Sequence, residues 1–358
     1  MASSRLKPRL LFVSGREIGY IRNRVLIAAF RRNFDVDVLT PQARGIAARS
    51  AKGLARCLAH RSDYDLCFVG FYGQLLATAL SMVQHKPLLL DAYVSTYDTL
   101  CEDRGRFRPG SLPGRLAFWL DRRSCQVASR ILTDTWSDAE YFQRTFSLSA
   151  DKFDAVYVGC DESLFYPRGA SSSARAGCEI FYYGSFLPLH GTDVILQAAA
   201  ALRRRPDIRF TIGGDGMGFD DARRNASELA LDNVTFAGWI PVERLPDFIA
   251  RATICLGGHF SNVPKAARVV STKTFQFVAM GKPTIVGDNA ATRELFQPGE
   301  HVLAVPMGDP AALAQAIEQL ADNSAMRERI AAGGLALYRE RLSQDLIAAQ
   351  LATIVSKM

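Results

Sequence analysis

The chain has 358 residues, 48% hydrophobic and 22% charged, with a formal net charge of +7. That composition excludes intrinsic disorder and fibrous repeats as the main state. The length exceeds what one hydrophobic core usually supports, so two domains are expected. The positive excess admits nucleic acid, an anionic membrane or a phosphorylated substrate as partner without choosing among them.

Short apolar runs alternate with helical periodicity from the start. Arg9–Ser14 reads as a strand ending at Gly15, and Ile21–Arg32 as a helix with Val25, Leu26, Ala29 and Phe30 on one face. Val36–Leu39 follows as a strand and Ile46–His60 as a helix. Leu66–Phe71, Leu88–Leu90, Arg130–Thr133 and Ala155–Val158 read as further strands. This grammar predicts a parallel sheet covered on both faces. Residues 167–177, Pro-Arg-Gly-Ala-Ser-Ser-Ser-Ala-Arg-Ala-Gly, break the pattern and read as a linker. The grammar then restarts. Strands are expected at Glu179–Tyr183, Ile208–Ile212, Val234–Ala237, Thr253–Leu256, Pro283–Val286 and His301–Ala304, with a helix at Thr192–Arg205. The prediction is α/β: two Rossmann-like domains, with the site in a cleft beyond the carboxyl ends of their strands.

The N-terminal stretch lacks the h-region of a signal peptide, and no run approaches the ~18 apolar residues of a spanning helix. Seven scattered cysteines without a C-x-x-C pair read as buried reduced thiols. A cytoplasmic location is expected, with peripheral contact to the membrane face as a further option.

Two motifs are set aside. Gly213-Gly-Asp-Gly-Met-Gly218 follows a strand, but a dinucleotide fingerprint needs glycine at 214, 216 and 219, and Phe219 stands there. Asp35 and Asp37 form a D-x-D, which outward-facing strand residues explain more simply than a metal site. No metal and no cofactor are expected. Ser271 to Pro283 is more informative. Ser271 or Thr272 can cap a helix running to Met280, with Gly281 as its C-terminal turn. Lys273 sits in the first turn, where a cation opposes the helix dipole and a bound diphosphate would explain it.

A resemblance enters on six stretches in order. Val158-Gly-Cys-Asp-Glu-Ser-Leu-Phe-Tyr-Pro167 resembles the "G-v-D-x-x-x-F-x-P" segment closing the first domain of retaining GT-B glycosyltransferases of glycosyltransferase family 4. Tyr183 to Gly191 resembles their "G-R…K-G" loop, Gly214-Asp-Gly216 their "G-d-G", and Phe236 to Ile240 their "F-x-G-x-v". Lys273 to Pro283 is similar to "K-x-f-E-x-m-A-x-G-k-P", and Glu294 to Gly299 to "E-l-x-x-x-G". The N-terminal half fits only by element order.

The resemblance implies GT-B architecture, with two Rossmann-like domains facing across a cleft. It also implies metal-independent, retaining transfer of a sugar from a nucleotide-diphosphate sugar to a hydroxyl acceptor. Residues 1–168 would form the acceptor domain, 169–177 the linker and 178–342 the donor domain. Residues 343–358 would form a helix packing back on the first domain. On the donor side the implied residues are Gly184, Ser185, Gly191, Gly214, Trp239, Ile240, Arg268, Ser271, Thr272, Gln276 and Glu294, with Lys273 and His190 at the diphosphate. Arg268 and Gln276 stand where the family has two glutamates. Gln276 keeps hydrogen-bonding capacity toward ribose, while Arg268 points to a phosphate or an acidic sugar. Ser185 and His190 stand near the family's loop arginine and lysine, and His190 donates more strongly if protonated. Glu294 either orders backbone amides beside the donor or is a structural acid at a helix start. On the acceptor side the candidates are Gly15, Arg16 and Tyr20, with Asp91 to orient the acceptor hydroxyl.

Asp103–Arg123 sets six arginines beside Phe107, Phe118 and Trp119, a pattern suited to an anionic membrane or a lipid-linked diphosphate acceptor. Leu116, Leu120 and Val127 also form a stripe at helical spacing, the alternative being a core face with Phe118 and Trp119 partly packed. No nucleic-acid module accompanies it. Up to Arg168 there are 24 Lys and Arg against 17 Asp and Glu, and after it 19 of each. The whole excess therefore lies in the expected acceptor domain. A non-catalytic GT-B module that binds a sugar nucleotide or a partner protein is the alternative, and a sugar-nucleotide epimerase a third reading.

Overall fold

A computed structural model describes residues 7–15, 17–39, 43, 45–60, 63–169 and 177–358. Arg16 and residues 170–176 of the expected linker lie outside the described residues. The chain divides into two compact units, Met1–Gly159 with Gln344–Met358, and Cys160–Ser343.

The first unit runs β1 (Arg9–Ser14), α1 (Ile21–Asn33), β2 (Asp35–Leu39), α2 (Ile46–Ala59), β3 (Leu66–Gly70), α3 (Gln74–Leu80), β4 (Leu88–Asp91), α4 (Leu112–Val127), β5 (Arg130–Thr133), α5 (Trp136–Phe146) and β6 (Phe153–Ala155). The sheet order is β2-β1-β3-β4-β5-β6, every pair parallel. Strand alternation splits the apolar residues between two faces. Leu11, Val13, Cys67, Val69 and Leu90 enter one core, and Leu10, Phe12, Leu66, Phe68 and Leu89 the other. Burial on both faces explains why these strands read as unbroken apolar runs. The seven cysteines are buried and reduced.

The last expected strand of this half is displaced. It occupies Phe153–Ala155, not Ala155–Val158; Val156 and Val158 are buried beyond the ladder, so their apolarity reflects core packing. The boundary also falls at Gly159, ahead of Arg168. Residues 160–168 join the second unit, where Arg168 pairs with Asp247 at 2.9 Å and Cys160 meets the Tyr338 hydroxyl at 3.1 Å.

The second unit runs β7 (Cys178–Gly184), α6 (Thr192–Ala201), β8 (Ile208–Gly214), α7 (Phe219–Glu228), β9 (Val234–Gly238), α8 (Leu245–Arg251), β10 (Ile254–Leu256), α9 (Thr272–Ala279), β11 (Thr284–Asp288), α10 (Ala290–Leu295), β12 (Leu303–Pro306), α11 (Pro310–Asp322) and α12 (Ser324–Leu337). Its parallel sheet has the order β12-β11-β10-β7-β8-β9. This is the doubly wound order, whose direction reverses between β7 and β10. Helix α13 (Gln344–Val355) returns to the first unit, burying Ile347, Ala348, Leu351 and Ile354 against the core that α1 covers.

Candidate functional site

In open α/β sheets, ligands gather where the strand order reverses, outside the carboxyl ends. In the second unit the loops leaving β7 and β10 meet there. Gly191, at φ +67°, is required by that meeting: a Cβ on it would lie 2.5 Å from the Ser261 nitrogen. One imidazole comes from each loop. His190 and His259 stack with centroids 5.5 Å apart and ring planes 16° apart. Both rings are buried, and the Nδ1 atom of each has no hydrogen-bond partner.

Lys273 joins them from the first turn of α9. Its side chain is buried, Nζ donates to Ser271 Oγ at 2.8 Å, and Nζ lies 5.1 Å from the centre of the Tyr182 ring. Burial pulls its pKa from 10.5 to about 7, and no carboxylate offsets that pull. Burial, then the Lys273 charge, then His259 hold His190 well below 6.5. Burial, Lys273 and Lys265 do the same to His259, against a hydrogen bond to the Leu189 backbone. Burial thus favours the neutral form of His190, which offers an anion a neutral ring N–H in place of the stronger, protonated donor. Three basic side chains thus converge in a desolvated place that penalises their charged forms. An anion offsets that penalty by Coulomb attraction and by accepting hydrogen bonds. Among the described residues, no group of three or more His, Cys, Asp and Glu is placed to hold a metal ion.

The other residues expected on the donor side border this cluster or lie in the same unit. Gly184 ends β7, and a Cβ on it would sit 3.0 Å from His190 Nδ1. Gly214, paired with it in register, has φ +114° and would place a Cβ 1.9 Å from the Gly184 carbonyl oxygen. Ser185 is exposed and Thr272 half-buried. Ser271 precedes α9 but does not cap it; its hydroxyl serves Lys273 instead. Gln276 is buried, and its side-chain carbonyl accepts from the Tyr183 hydroxyl, a partner the sequence did not suggest. Arg268 is half-buried after the turn Pro264–Ala267. Trp239 is 73% exposed just beyond β9, and Ile240 is buried. Glu294 lies in the final turn of α10, not at a helix start.

In the first unit the reversal lies between β1 and β3. Gly15 is needed where their loops touch, since a Cβ on it would fall 2.0 Å from the Tyr72 carbonyl oxygen. The Tyr20 ring lies against Phe71, with centroids 4.4 Å apart and planes tilted by 34°. Asp91 does not present a free carboxylate. It is fully buried and bound by Arg22, with Nη2 to Oδ1 at 2.8 Å. Arg22 Nη1 also donates to the Val156 carbonyl at 2.5 Å. This corrects the expectation of an acceptor-orienting acid: the carboxylate serves as the counter-ion of a buried arginine.

Sequence reasoning missed His259 and Arg22. Gly257-Gly258 at the end of β10, matching the glycine turn after β7, is the signal that would have drawn attention to His259. Arg22 had no such signal, because its partner lies 69 residues away.

Residues 195–353 match a family model described as glycosyl transferase-like. A D-inositol 3-phosphate glycosyltransferase of Acidothermus cellulolyticus is 28% identical over 227 residues, covering 59% of this chain and 49% of the relative. The chain thus spans about half the length of that relative. The alpha-D-kanosaminyltransferase of Streptomyces kanamyceticus is 24% identical over 294 residues, covering 79% of this chain and 73% of the relative. The crystal structure of Anabaena HepE in complex with UDP and glucose matches with a TM-score of 0.76 at 17% identity, over 98% of this chain and all of the other. That likeness shows the fold, the two parallel Rossmann-like units of GT-B architecture. Residues 195–353 thus resemble a glycosyl transferase-like family model, and the chain as a whole has the GT-B fold.

Proposed function

We propose that the chain is a metal-independent, retaining glycosyltransferase of the family 4 type. It moves a sugar from a nucleotide-diphosphate sugar to a hydroxyl acceptor on a lipid-linked or polysaccharide precursor. The second unit holds the donor and the first the acceptor. The observation that carries this reading is the convergence of Lys273, His190 and His259 at the strand reversal of the second sheet. In the reaction, the bond between the anomeric carbon and the phosphate oxygen breaks, and negative charge builds on the departing diphosphate. Lys273 meets that charge as an ammonium, and His190 as a neutral N–H donor. A desolvated, fixed donor stabilises developing charge far better than water does. The acceptor oxygen bonds the anomeric carbon on the face the phosphate leaves, and its proton passes to the phosphate. Relatives named for transfer to inositol phosphate and of kanosamine, and a neighbour crystallised with UDP, support the substrate class.

One observation favours a second reading, a non-catalytic module that binds sugar nucleotides: the family glutamates are Arg268 and Gln276, and Gln276 is already held by Tyr183. A thermal-shift panel of nucleoside diphosphates and nucleotide sugars, followed by labelled donors with membrane extract and EDTA, decides. Transfer that survives EDTA is expected. Nucleotide binding without transfer supports the module, and stabilisation by no nucleotide rejects both.

A further inference from the structure

We propose that the outward face of helix α4 docks the first unit onto an anionic lipid bilayer. The helix turns about 100° per residue, so Leu112, Leu116 and Trp119 fall within about 60° of one another. They are 81%, 63% and 52% exposed. Arg123 lies on the same line, and Arg115 and Arg122 flank it; all three are exposed. The opposite face, Gly114, Ala117, Asp121, Ser124 and Cys125, is buried. Its one acid points inward: Asp121 accepts from Ser95 Oγ at 2.7 Å and from the Thr96 and Tyr97 amides at 3.1 and 2.8 Å. The exposed face of the helix is therefore apolar along its axis, and every charge beside that line is cationic.

The segment leading into the helix extends that charge. Arg104, Arg106 and Arg108 are exposed; of the two acids before them, Asp103 is half-buried and Glu102 accepts from the Tyr141 hydroxyl at 2.9 Å, so the segment still carries a net positive charge. Phe118, one residue from Trp119, turns inward against Tyr97 and Phe146, which separates core aromatic from surface aromatic. A lipid surface matches both halves of the pattern. Leucines enter the acyl boundary, an indole sits at the headgroup level, and arginines meet anionic headgroups. A soluble polyanion would have no use for the leucines. A second copy of the chain would bring like charges together.

The surface stands apart from the transfer chemistry and is read without any sugar donor, so its failure leaves the reading above intact. The full chain is floated with vesicles of equal parts phosphatidylglycerol and phosphatidylcholine, and with phosphatidylcholine alone. Flotation with the anionic vesicles only, with a blue shift of tryptophan emission, is expected. Arg115→Gln/Arg122→Gln/Arg123→Gln should lower partitioning at low salt by roughly a hundred-fold. Leu112→Ser/Leu116→Ser/Trp119→Ser should lower it at least ten-fold at any salt. Trp119→Phe, which spares the fold, should remove the emission shift. Three results overturn the proposal. The first is absence of flotation at low salt, and the second is leucine and tryptophan variants that bind as wild type does, which assigns the arginines to a soluble polyanion. The third is a dimer formed without vesicles that those variants abolish.

Discussion

Replacing Lys273 with methionine should make the protein more stable and its grip on nucleoside diphosphates weaker. The side chain is buried without a carboxylate partner, and burial takes its pKa from 10.5 to about 7. At about 1.36 kcal/mol per unit, that drop is a folding cost on the order of 5 kcal/mol when the amine is charged. Methionine removes the charge and keeps most of the volume. It also forfeits the Ser271 hydrogen bond and the Tyr182 contact, worth about 1 kcal/mol each. A net gain of about 3 kcal/mol should raise Tm by roughly 6–12 °C for a unit of this size. The sign with pH follows from proton counts. Between about 7 and 10.5 the unfolded chain binds one proton more than the folded one, so wild-type stability rises with pH across that window. The advantage of the variant is therefore full below about pH 7 and fades toward pH 10.5. A diphosphate reverses the balance by restoring the charge. Its binding takes up a proton above pH 7, so affinity falls as pH rises. Losing one charge-assisted hydrogen bond should weaken it about 10- to 100-fold. Differential scanning fluorimetry from about pH 6 to about pH 10, with and without UDP and GDP, reads both effects. A Lys273→Met variant that melts lower than wild type, yet keeps the full diphosphate-induced shift, would refute the argument.

Two further outcomes test the frame around the site. Asp91→Asn should cost about 3–5 kcal/mol, because it leaves Arg22 buried and charged; Arg22→Met combined with Asp91→Leu should recover most of that loss in a chemical-denaturation series. A single variant as stable as wild type would show that the pair is not a structural ion pair. Gly214→Ala should destabilise the second unit by at least about 2 kcal/mol, since alanine is strained at φ +114° and its Cβ would meet the Gly184 carbonyl. An unchanged melting curve contradicts the close approach of β7 and β8.

Element order was legible in the sequence because buried parallel strands leave short apolar runs between helical periods. Arg9–Ser14 and Arg130–Thr133 could be bounded to the residue. Ala155–Val158 could not, since apolarity reports burial and not ladder pairing, and Val156 is buried outside any strand. The glycine turns and Lys273 were visible because local backbone geometry demands particular residue types. What the sequence hid is long-range pairing. Arg22 looks like a surface residue of α1 until Asp91 is brought under it, and Gln276 looks free until Tyr183 reaches across. His259 carries no helical or strand signature at all; only the crossing of two loops makes it part of a site.

The return of α13 to the first unit gives the chain an unusual order of assembly. The first unit is discontinuous: Ile347, Ala348, Leu351 and Ile354, which close one face of its sheet, emerge only after all of Cys160–Ser343 has been made. Asn33 donates to the Ala348 carbonyl at 3.1 Å and Gln350 to that of Ala155 at 2.7 Å, so the late helix also completes hydrogen bonds of early elements. Domains of a nascent chain usually fold in the order of synthesis. Here the segment made first must wait with an apolar face uncovered, while the inserted segment completes its own core. Stop codons ahead of Gln344 should therefore damage the first unit while sparing the second.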